Sequence, residues 1–322
     1  MKGRYKHLFG PVPSRRLGLS LGVDLVPYKT CSLDCIYCEV GETTEHTLEV
    51  REYIPTQEII NELDASMRDP DRLDYVTFSG SGEPLLHSGI GMILEHLKER
   101  YPRFRTALLT NGTLLTSPEV QERIKRLDLI MPSLDAASQE VFEAINRPLR
   151  GIRIEEIIEG LRSFRENYAV PMWIEVFVLP GYNDAPEELR LLKQALLDIG
   201  PERVQLNTLD RPGTCAGLEP ASPETLQQIA QFLHPLQCEV VAGFSSRGAV
   251  EAAAAPDAAH GILQTLRRRP CTSRDLSEAL GVHLNEMNKH LAALYQEGRI
   301  SPVHGARGVF WKIAEQGGKE DG

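Results

Sequence analysis

Residues 20–38, SLGVDLVPYKTCSLDCIYC, run from an apolar segment straight into three closely spaced cysteines. The segment 20–26 reads as a strand, so Cys31, Cys35 and Cys38 fall in the loop after it, at the C-terminal edge of a sheet. α/β folds place their functional sites at that edge.

Outward from this stretch, short apolar runs alternate with longer segments of helical period, the pattern of repeated βα units around a parallel sheet. The predicted strands are 20–26, 74–80, 105–110, 128–134, 172–179 and 203–208. Between them, sets such as Ile59, Ile60, Leu63 and Met67, or Leu189, Leu192, Leu196 and Leu197, repeat at helical spacing. Ser117-Pro118-Glu119 and Ser222-Pro223-Glu224 each offer a hydroxyl cap, a proline at the first helical position and an early carboxylate. Asp184 reads as the cap of a helix beginning at Ala185. Six such units with right-handed crossovers curl into a partial or full barrel, or lie as an open doubly wound sheet.

The 322 residues favour two domains, and 42% hydrophobic with 25% charged residues is ordinary globular composition. No apolar run reaches the length of a membrane span, and MKGRYKHLFGPVPSRR has no signal-peptide core, so a soluble cytoplasmic protein without membrane contact is expected. The net charge is −10, of which residues 261–322 carry +2 and the remainder −12, which argues against a whole-chain polyanion binder while allowing a local basic patch.

Composition shifts at GAVEAAAAPDAAH, residues 248–260, read as a linker or a weak helix. Beyond it come a short helix at 261–268, a second capped by Thr272 or Ser273, a turn at Gly281 and a third helix with Leu284, Met287, Leu291 and Leu294 on its apolar face. GRISPVHGARGVFWKI closes the chain as a hairpin. Three helices and a hairpin make a winged helix-turn-helix. The expected division is therefore a catalytic domain at 1–247, the linker 248–260, the winged helix at 261–316 and a disordered tail at 317–322. Arg267, Arg268, Arg269, Lys289, His290 and Arg307 are candidate phosphate contacts, for RNA or DNA; a peptide or a second subunit is the other occupant such a module takes.

Three thiolates in one tight loop can hold three irons of a [4Fe–4S] cube and leave the fourth open to a small chelator. The alternative is structural zinc on Cys31, Cys35, Cys38 and His46. Glycine, asparagine, serine and aspartate recur at the later strand ends, on the same rim, and structural zinc does not require them. Cys215, Cys238 and Cys271 are scattered, without C-x2-C pairing; Cys215 follows the sixth strand and is a candidate substrate contact or hydrogen donor.

With its C-x3-C-x2-C spacing and Tyr37 before the third cysteine, the chain resembles the radical S-adenosylmethionine (SAM) enzymes from residue 9 to about 215. The resemblance implies an α/β fold, a partial (β/α)6 TIM-type barrel, here followed by the small winged helix-turn-helix domain. It implies one [4Fe–4S] cluster on Cys31, Cys35 and Cys38, with SAM on its open iron. Ser79-Gly80-Ser81-Gly82-Glu83-Pro84 resembles the glycine-rich segment that meets the methionine amino group, with Glu83 placing a carboxylate near the ammonium. Asn111, Ser133, Asp135 and Asn207 match strand ends that line ribose and adenine, Ser133 and Asp135 pointing to one face as i and i+2 on a strand. Arg15, Arg16, Glu175 and Arg211 are candidate substrate contacts. An electron donor such as flavodoxin or ferredoxin is the implied partner.

Gly10 to Gly18, Arg51 to Pro55 and Gln205 to Pro212 are similar to the branch that includes the wyosine-forming enzymes of tRNA. Those enzymes carry a second cluster on upstream cysteines, and this chain has none before Cys31. The expected function is radical chemistry on a nucleotide or RNA base. The same chemistry on a peptide or protein side chain is the alternative, and a SAM- or redox-sensing DNA-binding regulator is the third.

Overall fold

The computed structural model describes residues 5–14, 16–67, 73–241, 258–282 and 284–314. The chain enters through β1 (Leu8–Ser14), which pairs antiparallel with β2 (Gly18–Val23). Two short parallel strands, β3 (Thr30–Cys31) and β4 (Glu45–His46), brace the cysteine loop. β2 leads through that loop to α1 (Thr56–Ser66), and five more strand–helix units follow. These are β5 (Tyr75–Phe78) with α2 (Ile90–Arg100), and β6 (Arg105–Thr110) with α3 (Pro118–Arg123). Next come β7 (Leu129–Pro132) with α4 (Gln139–Asn146) and α5 (Ile154–Asn167), then β8 (Trp173–Val178) with α6 (Pro186–Ile199). β9 (Arg203–Thr208) with α7 (Pro223–Phe232) and the short β10 (Cys238–Val240) complete the series.

The strands order as β1-β2-β5-β6-β7 and β8-β9-β10, all parallel except β1. Parallel bridges Ile130–Met172 and Ser133–Glu175 join β7 to β8, making one continuous sheet. That sheet is rolled. Arg16, just before β2, forms an ion pair with Glu175 of β8, although four strand spacings of about 4.8 Å would hold them about 19 Å apart if the sheet were flat. No pairing among the described residues joins β10 to β1, so the roll is open on that side.

All six predicted strands are present, and the larger apolar cluster lies between the sheet and its helices, with Ile59, Leu63, Ile93, Leu161 and Leu196 buried against Val76, Phe78, Ile174 and Val204. A smaller set, Leu17, Ala107, Leu129 and Met131, fills the inside. Ser117 and Ser222 cap their helices as expected, accepting from the backbone N–H of Val120 and Thr225. Asp184 does not cap α6. Its Oδ1 accepts from the N–H of Gly181 at 2.8 Å, and Ala185 takes the cap position ahead of Pro186, without a side-chain cap.

β1 was not anticipated from the sequence, since Gly10, Pro11 and Pro13 interrupt any alternating pattern. An edge strand tolerates proline, and the register shift between Phe9 and Val12 absorbs the irregularity.

The C-terminal unit contains α8 (Ala258–Leu266), β11 (Cys271–Thr272), α9 (Ser273–Leu280), α10 (Leu284–Gln296), β12 (Ile300–Gly305) and β13 (Gly308–Ile313). Its three strands order as β11-β13-β12, and Ile262, Leu266, Leu276, Met287, Leu291 and Ile300 form a separate apolar core. Thr272 and Asp275 form a capping box on α9, and Gly281 ends that helix in the left-handed region. The expected linker reads differently where it is described: residues 258–260 are the first turn of α8. Residues 248–257, like the tail 317–322, lie outside the described residues.

Candidate active site at the strand ends

The three thiols lie at the C-terminal edge of the sheet, and each sulfur accepts from a different nitrogen. Asn111 Nδ2 meets Cys31 at 3.5 Å, Asn146 Nδ2 meets Cys35 at 3.4 Å, and Lys29 Nζ meets Cys38 at 3.1 Å. Burial pushes the Cys31 thiol up to about 11 and Cys35 higher still. Thiols of this kind are neutral until a metal displaces their protons. Lys29 is 3% exposed; burial works against its charge, but Cys38 and its neighbours hold its pKa above the ordinary value.

A group with three thiolate ligands fits this loop, and zinc does not. The sulfurs do not gather within 4.8 Å of one another, whereas tetrahedral Zn–S bonds would set them about 3.8 Å apart. His46, the fourth ligand of a zinc site, is engaged elsewhere, with Nε2 2.9 Å from the carbonyl of Ser32.

The loop after β5 folds tightly on this site. Gly80 has φ +134°, and a Cβ there would lie 1.6 Å from Asp24 Oδ1; at Gly82 a Cβ would lie 2.0 Å from the carbonyl of Thr30. Ser81 donates its N–H to Asp24 Oδ1 at 2.7 Å. Glu83 is not free to meet an ammonium directly. It is 2% exposed and accepts from Leu85 N, Thr110 Oγ1 and Asn111 N at 2.9, 2.7 and 2.8 Å, tying the loop to the end of β6. Burial pushes its carboxyl up to about 7 against those three donors.

Asp135 is likewise taken up by protein donors. β7 ends at Pro132, but the chain still bridges β8 through Ser133 and Glu175, so Ser133 and Asp135 keep the same side. The Asp135 carboxylate turns inward and accepts from Tyr37 Oη at 2.5 Å, Asn146 Nδ2 at 2.8 Å and Phe177 N at 2.9 Å. Tyr37 in turn stacks on Phe177 with centroids 4.0 Å apart. A cavity of about 40 Å³ beside Cys35 brings Tyr37, Asn111, Ser133 and Asp135 to one wall.

Burial pushes the Asp135 carboxyl up to about 6, against its three donors. The unfolded chain gives up that proton near the ordinary value of about 4, so between about pH 4 and 6 the folded state holds more protons and stability falls as pH rises. Urea unfolding across this window is expected to show the fall in the apoprotein and a shallower one in Asp135→Asn, the remainder coming from Glu83, whose raised carboxyl acts in the same sense. Equal slopes for the two proteins would contradict it.

Arg16, Glu175 and Asn207 meet on the inside of the roll, with Asn207 Nδ2 2.8 Å from Glu175 Oε1 and Arg16 on the other oxygen. Arg15 lies outside the described residues. Cys215 sits behind the cysteine loop, its N–H bonded to the carbonyl of Ile36 and its sulfur accepting from Arg147.

Arg211 does not face this rim. Its side chain is 0% exposed, between Glu39 at 3.1 Å, Asp210 at 3.6 Å and Asp275 at 3.9 Å. Arg268 and Arg307, two of the candidate phosphate contacts, also face the sheet: Arg268 pairs with Asp24 at 2.7 Å, and Arg307 with Asp210 at 2.8 Å and Asp275 at 3.0 Å. Asp24, Lys29 and Asn146 stand outside the motifs the sequence offers, whereas Asn183 is a weak candidate beside Asp184; Asp24 and Asn146 act through partners distant in the chain, and Lys29 through Cys38 nine residues on. Asn183 holds the Asp135 and Phe177 carbonyls, both at 2.8 Å.

A rolled parallel sheet with three thiols in the loop after its first parallel strand is the arrangement of a radical SAM enzyme. The radical SAM superfamily pattern matches residues 25–192, 168 of the 322, and the chain belongs to that superfamily. Its cofactors are accordingly a [4Fe–4S] cluster and SAM. It is 32% identical over 230 residues to the UPF0026 protein MJ1312 of Methanocaldococcus jannaschii, covering 71% of each chain. A protein named GTPase Obg from Brachyspira hyodysenteriae is 30% identical over 308 residues; the match takes in 93% of this chain and 44% of that one, so the chain spans less than half that relative. The GTP 3′,8-cyclase of Streptomyces coelicolor is 31% identical over 180 residues, 52% of this chain and 51% of that one. Among solved structures, a radical SAM methyltransferase from Sphaerobacter thermophilus shares the fold, with a TM-score of 0.53 and 19% identity over 69% of this chain and 65% of that one. Among the described residues no helix is long and apolar enough to cross a membrane.

Proposed function

We propose that this chain cleaves SAM reductively at a single [4Fe–4S] cluster held by Cys31, Cys35 and Cys38, and abstracts hydrogen from a nucleotide or RNA base. The observation that carries the reading is convergence: the three thiols, the Ser79–Glu83 loop, Asn111, Ser133 and the Arg16–Glu175–Asn207 set all lie along one rim and the interior it opens on. When bound, the cluster and SAM supply a 5′-deoxyadenosyl radical from one electron.

The chain's own residues position and shield. Gly80, Ser81 and Gly82 let the backbone approach the methionine end of SAM, while Glu83 fixes the loop from beneath. Asn111, Ser133 and Tyr37 form the wall for its nucleoside end, and Asp135 holds Tyr37 in place. Arg16 and Glu175, already paired, present a fork and a carboxylate edge to a substrate inside the roll. The nucleotide reading draws on the similarity to the GTP 3′,8-cyclase of Streptomyces coelicolor and on the resemblance of residues 205–212 to the wyosine-forming branch. We read residues 1–247 as the catalytic domain and 261–316 as a winged helix-turn-helix, with α10 its recognition helix. Asn285, Asn288, Lys289 and Ala292 on that helix are exposed.

Nucleotides deuterated on ribose and base test the substrate. Under dithionite, deuterium is expected in 5′-deoxyadenosine, while the absence of transfer from every nucleotide, with transfer from a peptide, would overturn the nucleotide reading. Lys29 gives a separate prediction. A buried ammonium 3.1 Å from Cys38 Sγ favours the more negative, reduced state, so Lys29→Met is expected to shift the cluster potential to more negative values in a spectroscopically monitored redox titration.

A further inference from the structure

The C-terminal unit bridges the open side of the roll. It reaches the end of β2 through the Arg268–Asp24 pair, and the end of β9 through Arg307 on Asp210 and Arg211 near Asp275. Arg268 also lies 4.5 Å over the ring of Phe9, and that ring packs where a Cβ on Gly22 would be, so the arginine stacks onto the inner side of the first two strands. Asp24 takes Arg268 on one oxygen and the N–H of Ser81 on the other, and thereby couples the unit to the glycine-rich loop.

Between these parts lies a cavity of about 580 Å³. Phe9 from β1, Gly80 from the glycine-rich loop, Leu109 from the inside of β6, Leu280 from α9, and Arg268 and Arg269 after α8 contribute to its lining. The lining is largely apolar. Its charged groups are Glu39, paired with Arg211; Arg268, paired with Asp24; and Arg269, which is half-buried and has no ion-pair partner among the described residues. A cation in an apolar chamber with no ion-pair partner among the described residues favours a ligand with an apolar body and one anionic group.

We infer that this cavity is the substrate chamber, that the C-terminal unit forms its outer wall, and that it takes a small molecule whose aromatic or apolar body rests against Phe9 and Leu280 and whose phosphate or carboxylate meets Arg269. The inference rests on the reading of Ser79–Glu83 as the SAM-binding loop, since that loop makes the chamber adjoin the cofactor. It narrows the substrate to a free small molecule, because a folded RNA or peptide would have to displace α8.

Two dyes separate the terms: 8-anilinonaphthalene-1-sulfonate and N-phenyl-1-naphthylamine, the same ring system without the sulfonate. Equilibrium dialysis of each against the anaerobically reconstituted protein is expected to show binding of both, with sulfonate affinity falling about tenfold in Arg269→Gln while the neutral dye is unchanged. Arg267→Gln, a charge removal at an exposed neighbour outside the chamber, is expected to change neither. Gln264→Trp and Ala279→Trp, on different helices, each narrow the chamber and are expected to weaken both dyes. Equal sulfonate loss in Arg267→Gln and Arg269→Gln, or dye binding untouched by both tryptophans, would overturn the inference. Displacement of the sulfonate by GMP assigns the anion as phosphate and displacement by benzoate as carboxylate; displacement by neither overturns it. Failure of the loop reading shows separately, as SAM binding that survives Gly80→Val whatever the dyes do.

Discussion

Cys38→Ala is expected to abolish 5′-deoxyadenosine formation and to leave anaerobically reconstituted protein far short of the wild type's about four irons per chain. The loop offers no substitute ligand. Among the described residues the remaining cysteines lie apart from it: Cys238 is on β10, Cys271 belongs to the C-terminal core, and Cys215 packs behind the loop with its sulfur on Arg147. Removing Cys38 also strands Lys29, a buried ammonium whose partner is that sulfur, so iron loss comes with a local destabilisation of about 1–3 kcal/mol. Cys215→Ala is the matched control, and it is expected to retain both iron and SAM cleavage. Iron content and product in the same two preparations check the pair. A Cys38→Ala protein that kept four irons and cleaved SAM would refute the ligand assignment, and a single zinc in the wild type would refute the cluster.

What could be read from the sequence follows from which contacts leave a local trace. The cysteine loop is legible because its ligands are within eight residues and its strand has a period. The same is true of the six parallel strands, the caps at Ser117 and Ser222, and the order of elements from α8 to β13. The i, i+2 spacing of Ser133 and Asp135 sets both on one cavity wall, but Tyr37, Asn146 and Phe177, the donors that hold Asp135, come from other segments and leave no local trace. Glu83 is legible as a member of the glycine-rich loop but not in its orientation, since its three donors come from its own loop and from the end of β6. Asp24 and Asn146 carry no local signal, since their partners come from distant segments, and Lys29 carries none because only the fold of the cysteine loop turns its ammonium onto Cys38. Arg211 was recognised within its motif, yet its partners Glu39 and Asp275 lie 172 residues before it and 64 after it.

That buried arginine carries the second large effect. Arg211→Met is expected to weaken the attachment of the C-terminal unit by about 3 kcal/mol, at the low end of the range for breaking a buried ion pair. The side chain is wholly buried, and Glu39, Asp210 and Asp275 all approach it, so methionine leaves three carboxylates short of a cation. Arg307 remains on Asp210 and Asp275, which keeps the loss from being larger and leaves Glu39 most exposed to it. For Asp275, burial works to raise the carboxyl pKa, but the hydrogen bonds from Arg307 and the charge of Arg211 hold it below the ordinary value. A lowered folded value means stability present at neutral pH and lost as pH falls through it, so wild type and variant should converge in acid. The two tryptophans report the two parts separately, Trp173 on β8 and Trp311 on β13. In urea, Arg211→Met is expected to bring the Trp311 transition to lower denaturant than that of Trp173. Unchanged and coincident transitions would mean that the ion cluster holds nothing together. Because the same unit walls the chamber, the variant should also weaken the dyes while leaving SAM binding in place, which separates a detached wall from a damaged cofactor site.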